Sequence, residues 1–278
     1  MSLPLPTGLS PSAVSSFTDC ALAFRYSAID RLPEPPSAAA VKGTLVHRAL
    51  ERLFSDVPAG RRSEAAAVDM LGVAFDECRA GPDLADLGLD EPGESELLAD
   101  AEALVRAYFR LEDPNRVRAI GLELRLEARI GSLSVRGIID RLELDDEGGL
   151  VVTDYKTGRA PSIRHEGNRL GGVHFYAYLC QEVLGRRPSR VQLLYLRDPV
   201  AIVNVPTDQS IRGLQTKASA VWSAVRRACL TEDFRPKPGP LCNYCAFVDR
   251  CPAMAGRLAV AGPAGEPVAL EVAAEATG

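Results

Sequence analysis

Long apolar runs are missing from this chain of 278 residues: no stretch approaches the roughly 20 consecutive apolar residues that a membrane-spanning helix needs. The opening Met1-Ser2-Leu3-Pro4 also lacks the basic flank and apolar core of an export signal, so a cytoplasmic protein without membrane contact is expected. Excess positive charge is missing too. The formal net charge of -5 speaks against a general nucleic-acid binder, because phosphate binding draws on Lys and Arg. No internal repeat and no helicase motif occur, so any unwinding would have to come from a partner. Seven cysteines are an odd number. With no export signal a disulfide framework is not expected, and metal ligation is the better reading of any cysteines that cluster.

What is present suffices for one substantial core, with 46% of residues hydrophobic. Candidate functional residues run from end to end, so residues 1–255 are expected to form a single domain with a helical insertion at about 56–115. The Ala- and Gly-rich stretch 256–278 is expected to be a disordered tail. Charge is unevenly spread: between Lys156 and Arg197 eight basic residues stand against two acidic ones, which leaves -11 for the rest, much of it between Glu64 and Asp113. A solvated surface or a polyanion-binding face would each produce such a basic stretch.

Ser10-Pro11 opens a capped helix that is predicted to run to Tyr26, with Cys20 inside it or at its end. Ala38 to Phe54 has helical spacing, its apolar stripe carried by Leu45, Ala49, Leu50 and Leu53, and His47 and Glu51 share another face. Helices are also predicted over 63–80 and 94–111. The period then changes to two. Leu122, Leu124, Leu126, Ala128 and Ile130 alternate with charged residues, the Gly131-Ser132 turn follows, and strands are predicted over Leu133–Leu144 and Leu150–Lys156. A helix over Gly172–Leu184, strands over Arg190–Leu196 and Ala201–Val205, and a long helix over Asp208–Leu230 complete the pattern.

The chemistry concentrates in the hairpin. A loop of Asp146 to Gly148, with Gly148 left-handed, pairs positions that sum to 294, so Asp140 faces Asp154. Two carboxylates so placed, with Cβ atoms about 4.5–5.5 Å apart, repel each other and weaken the hairpin, and a divalent cation between them reverses that sign. Asp154 and Lys156 point to one face, so the ammonium sits beside such a cation. The set suits phosphodiester hydrolysis: acidic oxygens hold the cation, Lys156 orients or helps deprotonate water, and His47 completes the ligands with Glu51 as its partner. The plainer reading is a surface salt bridge of the acids with Arg141 or Lys156 and a helix histidine without a role. At the other end Cys242-x2-Cys245-x5-Cys251 is a compact set of thiolates with Cys20 as a distant fourth ligand, and spacing alone does not separate structural zinc from an iron-sulphur cluster. Cys78, Cys180 and Cys229 sit in apolar helical settings and read as core.

Gly43-Thr44-Leu45-Val46-His47, Gly137-Ile138-Ile139-Asp140 and Asp154-Tyr155-Lys156-Thr157-Gly158 occur in that order. Together they resemble the nuclease domain of RecB and its relatives, among them AddB and the CRISPR-associated iron-sulphur exonucleases, from Ser10 to Pro252. The resemblance implies an α/β fold with a restriction-endonuclease-like PD-(D/E)XK core. Its mixed central sheet is flanked by helices, with an N-terminal helical part and a C-terminal cluster-binding loop. It implies Mg2+ or Mn2+ held by His47, Asp140, Asp154 and the Tyr155 backbone carbonyl, with Asp140, Asp154 and Lys156 catalytic. A [4Fe-4S] cluster on Cys20, Cys242, Cys245 and Cys251 is also implied, zinc being the other occupant considered. The implied activity is a DNA exonuclease on single strands in repair, recombination or CRISPR adaptation, with Tyr176, His174, Arg159 and Arg164 expected to contact DNA. The family places a Gln four residues before that Tyr; here the position is Gly172, with His174 nearby. Two other functions compete with it. One is a DNA-binding or scaffold subunit of low activity that works with a helicase or integrase, and the other is a zinc-stabilised structural protein.

Overall fold

The structure, a computed structural model, describes residues 2–161 and 166–254, and the side chains of 166–171 are left aside. Arg164 and the expected tail at 256–278 therefore lie outside the described residues. Five strands form one mixed sheet in chain order: β1 (Arg118–Ile130), β2 (Leu133–Leu144), β3 (Leu150–Lys156), β4 (Arg190–Tyr195) and β5 (Val200–Asn204). All neighbours are antiparallel except β3 and β4, which run parallel across the helix between them. Parallel neighbours need a long crossover, and the helix after β3 supplies it.

Helices cover both faces. On one face α1 (Pro11–Asp19), the short α2 (Ala21–Phe24), the crossover helix and a long C-terminal helix share a core with Val191, Leu193 and Tyr195 of β4. On the other, α3 (Ala38–Ser55), α4 (Glu64–Arg79), the short α5 (Pro82–Ala85) and α6 (Glu91–Tyr108) pack on Leu194 and Tyr155. The crossover helix is α7 (Glu166–Leu184) and the C-terminal one α8 (Asp208–Thr231). The split of β4 is that of a strand buried on both faces, with successive side chains going to opposite layers. No helix of the described residues is long and apolar enough to cross a membrane.

The hairpin register is the expected one. Leu144 faces Leu150 and Arg141 faces Thr153, while Gly148 takes a φ of 78° in the loop. The ladder stops at that last pair. Beyond it β3 continues beside β4 as far as Lys156, whereas the free edge of β2 at Ser134–Arg136 takes up Leu9, whose N–H donates to the Ser134 carbonyl and whose carbonyl accepts from Arg136. Gly8 permits that approach, since a Cβ there would stand 2.6 Å from the Ser134 carbonyl oxygen. Two strands that separate in this way leave a cleft between them, with α1 beside it.

The first helix differs from expectation. Ser10 caps it through a hydrogen bond from the Ala13 N–H, but it ends at Asp19, and Cys20 is extended (φ -157°, ψ 110°) before α2 begins. A π-helical turn, Arg25–Ile29, follows. The apolar spacing carried no sign of this break, which turns Cys20 toward the C-terminal segment.

Candidate active site

The C-terminal end of β3 brings together residues from both helical layers. Asp140 and Asp154 are buried, 9% and 3% exposed. Asp140 Oδ2 accepts the Tyr155 N–H at 2.7 Å, satisfying an amide freed where the ladder ends. From α3, His47 places Nδ1 at 3.5 Å from that same oxygen and Nε2 at 3.2 Å from the Tyr155 carbonyl. From α7, the Tyr176 hydroxyl donates to Asp154 Oδ1 at 3.0 Å. Lys156 is ion-paired with Asp154 Oδ2, an oxygen that takes no well-directed hydrogen bond. Of the residues named from sequence for catalysis and metal, His47, Asp140 and the Tyr155 carbonyl meet directly, and Asp154 with Lys156 stands beside them at the end of β3.

Alternation alone assigns Glu123 of β1 to the solvated face of its strand, and the structure places it at the site instead. It is half-buried and takes a left-handed φ of 43° within the strand, and its carboxylate, an Asp140 oxygen and a His47 nitrogen all lie within 4.8 Å of one another. A non-glycine residue held there costs on the order of 1–3 kcal/mol and persists only where its surroundings impose it. Glu51, expected to partner His47, does not bond to it; its charge bears on Glu123.

Burial, and then the Asp154 charge, raise the Asp140 carboxyl to about 7, and burial with Asp140 likewise raises Glu123. Burial lowers the His47 pKa and so favours its neutral, ligating form. Burial also works against the Lys156 ammonium, but Asp154 and Asp140 outweigh it and hold the group above its ordinary value. A set of buried carboxylates, a neutral imidazole and a carbonyl oxygen fits a divalent cation, which would relieve their mutual repulsion.

The sign for stability follows. An acid whose folded pKa is raised stabilises the fold only while protonated, so Asp140 contributes below about pH 4 and that contribution is lost as pH climbs to about 7. Asp140→Asn mimics the protonated acid. The Tm of metal-free protein minus that of Asp140→Asn is expected to fall between pH 4.5 and 7.5, and Mn2+ is expected to reverse the trend. A flat difference would mean that Asp140 ionises without cost.

A groove of about 1110 Å3 opens onto Asp154, Lys156 and Tyr176, with Arg125 and Arg136 on its strand side and Ser12 on α1. Gly172 also lines it, and a Cβ there would meet only Pro11, at 3.8 Å. Arg159 and His174 do not line it. A separate cavity of about 440 Å3 is lined by Cys20, Cys242, Cys245 and Cys251. Turns closed by the Cys245 and Cys251 N–H groups present three of these thiols, and Tyr26 OH donates to the Arg250 carbonyl at 3.2 Å across the two chain segments. Cys78, Cys180 and Cys229 are buried, and burial pushes the Cys180 thiol up to about 12.

In comparisons with known proteins, no curated protein matches the sequence. Among solved structures, the "Putative exonuclease" of Eubacterium rectale is similar over 95% of this chain and 91% of its own, at 12% identity and a TM-score of 0.54, which is a likeness of fold. The structure of SSO0001 is similar over 77% of this chain and 85% of its own, at 17% identity and a TM-score of 0.37. Residues 8–252 match the family model of the PD-(D/E)XK nuclease superfamily, and with the acid pair, the lysine and the mixed sheet in place the chain belongs to that superfamily.

Proposed function

We propose that the protein is a Mg2+- or Mn2+-dependent DNA nuclease of the RecB-like kind. In this reading it is a cytoplasmic single-strand exonuclease of DNA repair, recombination or CRISPR adaptation. The observation that carries the reading is the meeting of His47, Asp140, Asp154 and Lys156 at the end of β3, where the groove opens. His47, Asp140, Asp154 and the Tyr155 carbonyl, with Glu123 beside them, would hold a divalent cation, which when bound would supply positive charge to a phosphate and acidify water. Lys156 orients the attacking water and meets the charge that grows on the phosphate oxygens, while Asp154 holds its ammonium in place. Tyr176 fixes Asp154 from the other layer. The exposed Arg125 and Arg136, which form no salt bridge among the described residues, would meet backbone phosphates along the groove.

A [4Fe-4S] cluster on the four cysteines belongs to the same reading. What supports a shared metal centre is that all four cysteines, from the two ends of the described chain, line one cavity; such a centre would be held by thiolates alone, which suits a cluster as it does zinc. The competing reading, a DNA-binding subunit of low activity that depends on a helicase or integrase, is favoured by Gly172, which leaves that part of the groove bare.

The test is cleavage of end-labelled single- and double-stranded DNA by anaerobically purified protein with Mg2+ or Mn2+. Shortening from one end of single strands supports the proposal, and tight binding without cleavage supports the subunit. Gly137 offers a check on the role of Tyr176: a Cβ there would stand 2.9 Å from Leu179 Cδ1 and 3.3 Å from Tyr176 Cε1. Gly137→Ala is expected to displace the Tyr176 hydroxyl and to slow cleavage by about tenfold or more. In a double variant with Tyr176→Phe its effect is expected to shrink; full additivity would mean that the glycine acts elsewhere.

A further inference from the structure

Arg141 has no solvent exposure and is the largest fully buried side chain of the described residues. It points away from the groove, into the layer of α3, α4 and α6. Its Nη1 donates to the hydroxyls of Tyr155 (2.7 Å) and Tyr108 (3.2 Å), and its Nη2 to Glu112 Oε2 (3.0 Å) and Thr153 Oγ1 (3.2 Å). Nε is held by Glu143, and the guanidinium lies 4.7 Å from the centre of the Phe54 ring. Gln192 of β4 closes the set, donating to Thr153 Oγ1 at 2.8 Å.

The sequence positions of these partners matter. Arg141 follows Asp140, Thr153 precedes Asp154, and Tyr155 follows Asp154. One planar fork therefore grips the back of both catalytic strands at the residues next to the two acids. Tyr155 carries the grip to the front. Its phenol is held by Arg141, its N–H donates to Asp140 and its carbonyl stands at His47, while its ring meets the His47 ring edge-on at 5.9 Å and 86°.

We propose that Arg141 is a positioning residue for the metal donors: by fixing the Tyr155 phenol from behind, it sets the Tyr155 carbonyl, Asp140 and His47 in one geometry. This rests on the metal site of the proposed function. A preorganised donor set is needed because a cation binds well only where several donors are already aimed, and partners behind the ligands commonly contribute about 10–100-fold in metal affinity.

Removing Arg141 outright would strand Glu112 and Glu143 as buried charges, so the informative variants are smaller. Tyr155→Phe deletes only the oxygen that Arg141 holds. Tyr108→Phe deletes an equally buried hydroxyl of the same network that touches no donor, and it serves as the control. Mn2+ affinity of the full chain, read from the paramagnetic resonance of free Mn2+, is expected to weaken by about tenfold in Tyr155→Phe and to change by less than about twofold in Tyr108→Phe, at similar losses of Tm. Arg141→Lys keeps the charge but loses the fork, and is expected to behave like Tyr155→Phe. If the unmodified protein binds Mn2+ and Tyr155→Phe and Arg141→Lys both match it, or Tyr108→Phe weakens binding as much as they do, Arg141 is structural only and the inference falls. If the unmodified protein binds no Mn2+, the metal site itself is wrong and the inference falls with it.

Discussion

Asp154→Ala is expected to lower metal-dependent cleavage of end-labelled DNA by about a thousandfold or more, and Lys156→Met by about 10^2–10^3-fold, with DNA binding retained in both. Asp154 has three tasks that end together: it is one of the two buried acids, it holds the Lys156 ammonium, and it takes the Tyr176 hydroxyl. Lys156→Met keeps the length of the side chain and removes only its charge, so a loss there measures the ammonium and not packing. The two effects should not add, because Lys156 is placed by Asp154. Gel-shift affinity separates chemistry from grip: unchanged binding with lost cleavage is the expected pattern. Parallel loss of both would move these residues from catalysis to substrate holding.

Cys20→Ser combined with Cys251→Ser is expected to abolish visible absorption of the anaerobically purified protein and to lower Tm by about 10–20 °C. The size follows from chain entropy: joining positions about 230 residues apart restrains the unfolded chain by about 5 kcal/mol, and about 2–4 °C accompany each kcal/mol in a chain of this size. Native contacts between the two segments, the Tyr26 ring edge-on to Phe247 at 5.5 Å, Tyr26 with the Arg250 carbonyl and Lys237 with the Thr18 carbonyl, persist without the cysteines, so the entropic figure is the upper end of the loss. Zinc without a broad visible band would overturn the cluster. An unchanged Tm would overturn its role as a tie, whichever metal is present.

Strand patterning made most of the sheet legible. The limits of β2 and β3 and the hairpin register follow from alternation and one glycine turn, because a half-buried sheet punishes any slip by turning every side chain to the wrong face. Glu123 escaped the same logic for want of one more step. The turn at Gly131-Ser132 sets a β1–β2 register in which Leu122 faces Arg141 and Leu124 faces Ile139, so Glu123 lies opposite Asp140. A charged residue between two leucines was read as solvated, and the left-handed backbone that turns it toward the site has no signature in composition. For Arg141 the spacing suggests only a surface partner of the acids. Its burial depends on Tyr108, at the end of α6, and on Glu112 just beyond it, which spacing along the chain does not report.

The clasp between the ends of the chain also sets an order of events during synthesis. Leu9 has no strand to join until Arg136 has been made, and Cys20 waits about 230 residues for Cys251, an interval on the order of ten to fifty seconds at ribosomal rates. The sheet partner comes early, before the strand that carries Asp154, whereas the proposed thiol partners come only at the end. If the cysteines share a metal centre, a nascent chain therefore closes that tie last, after the helices and strands that hold the acids.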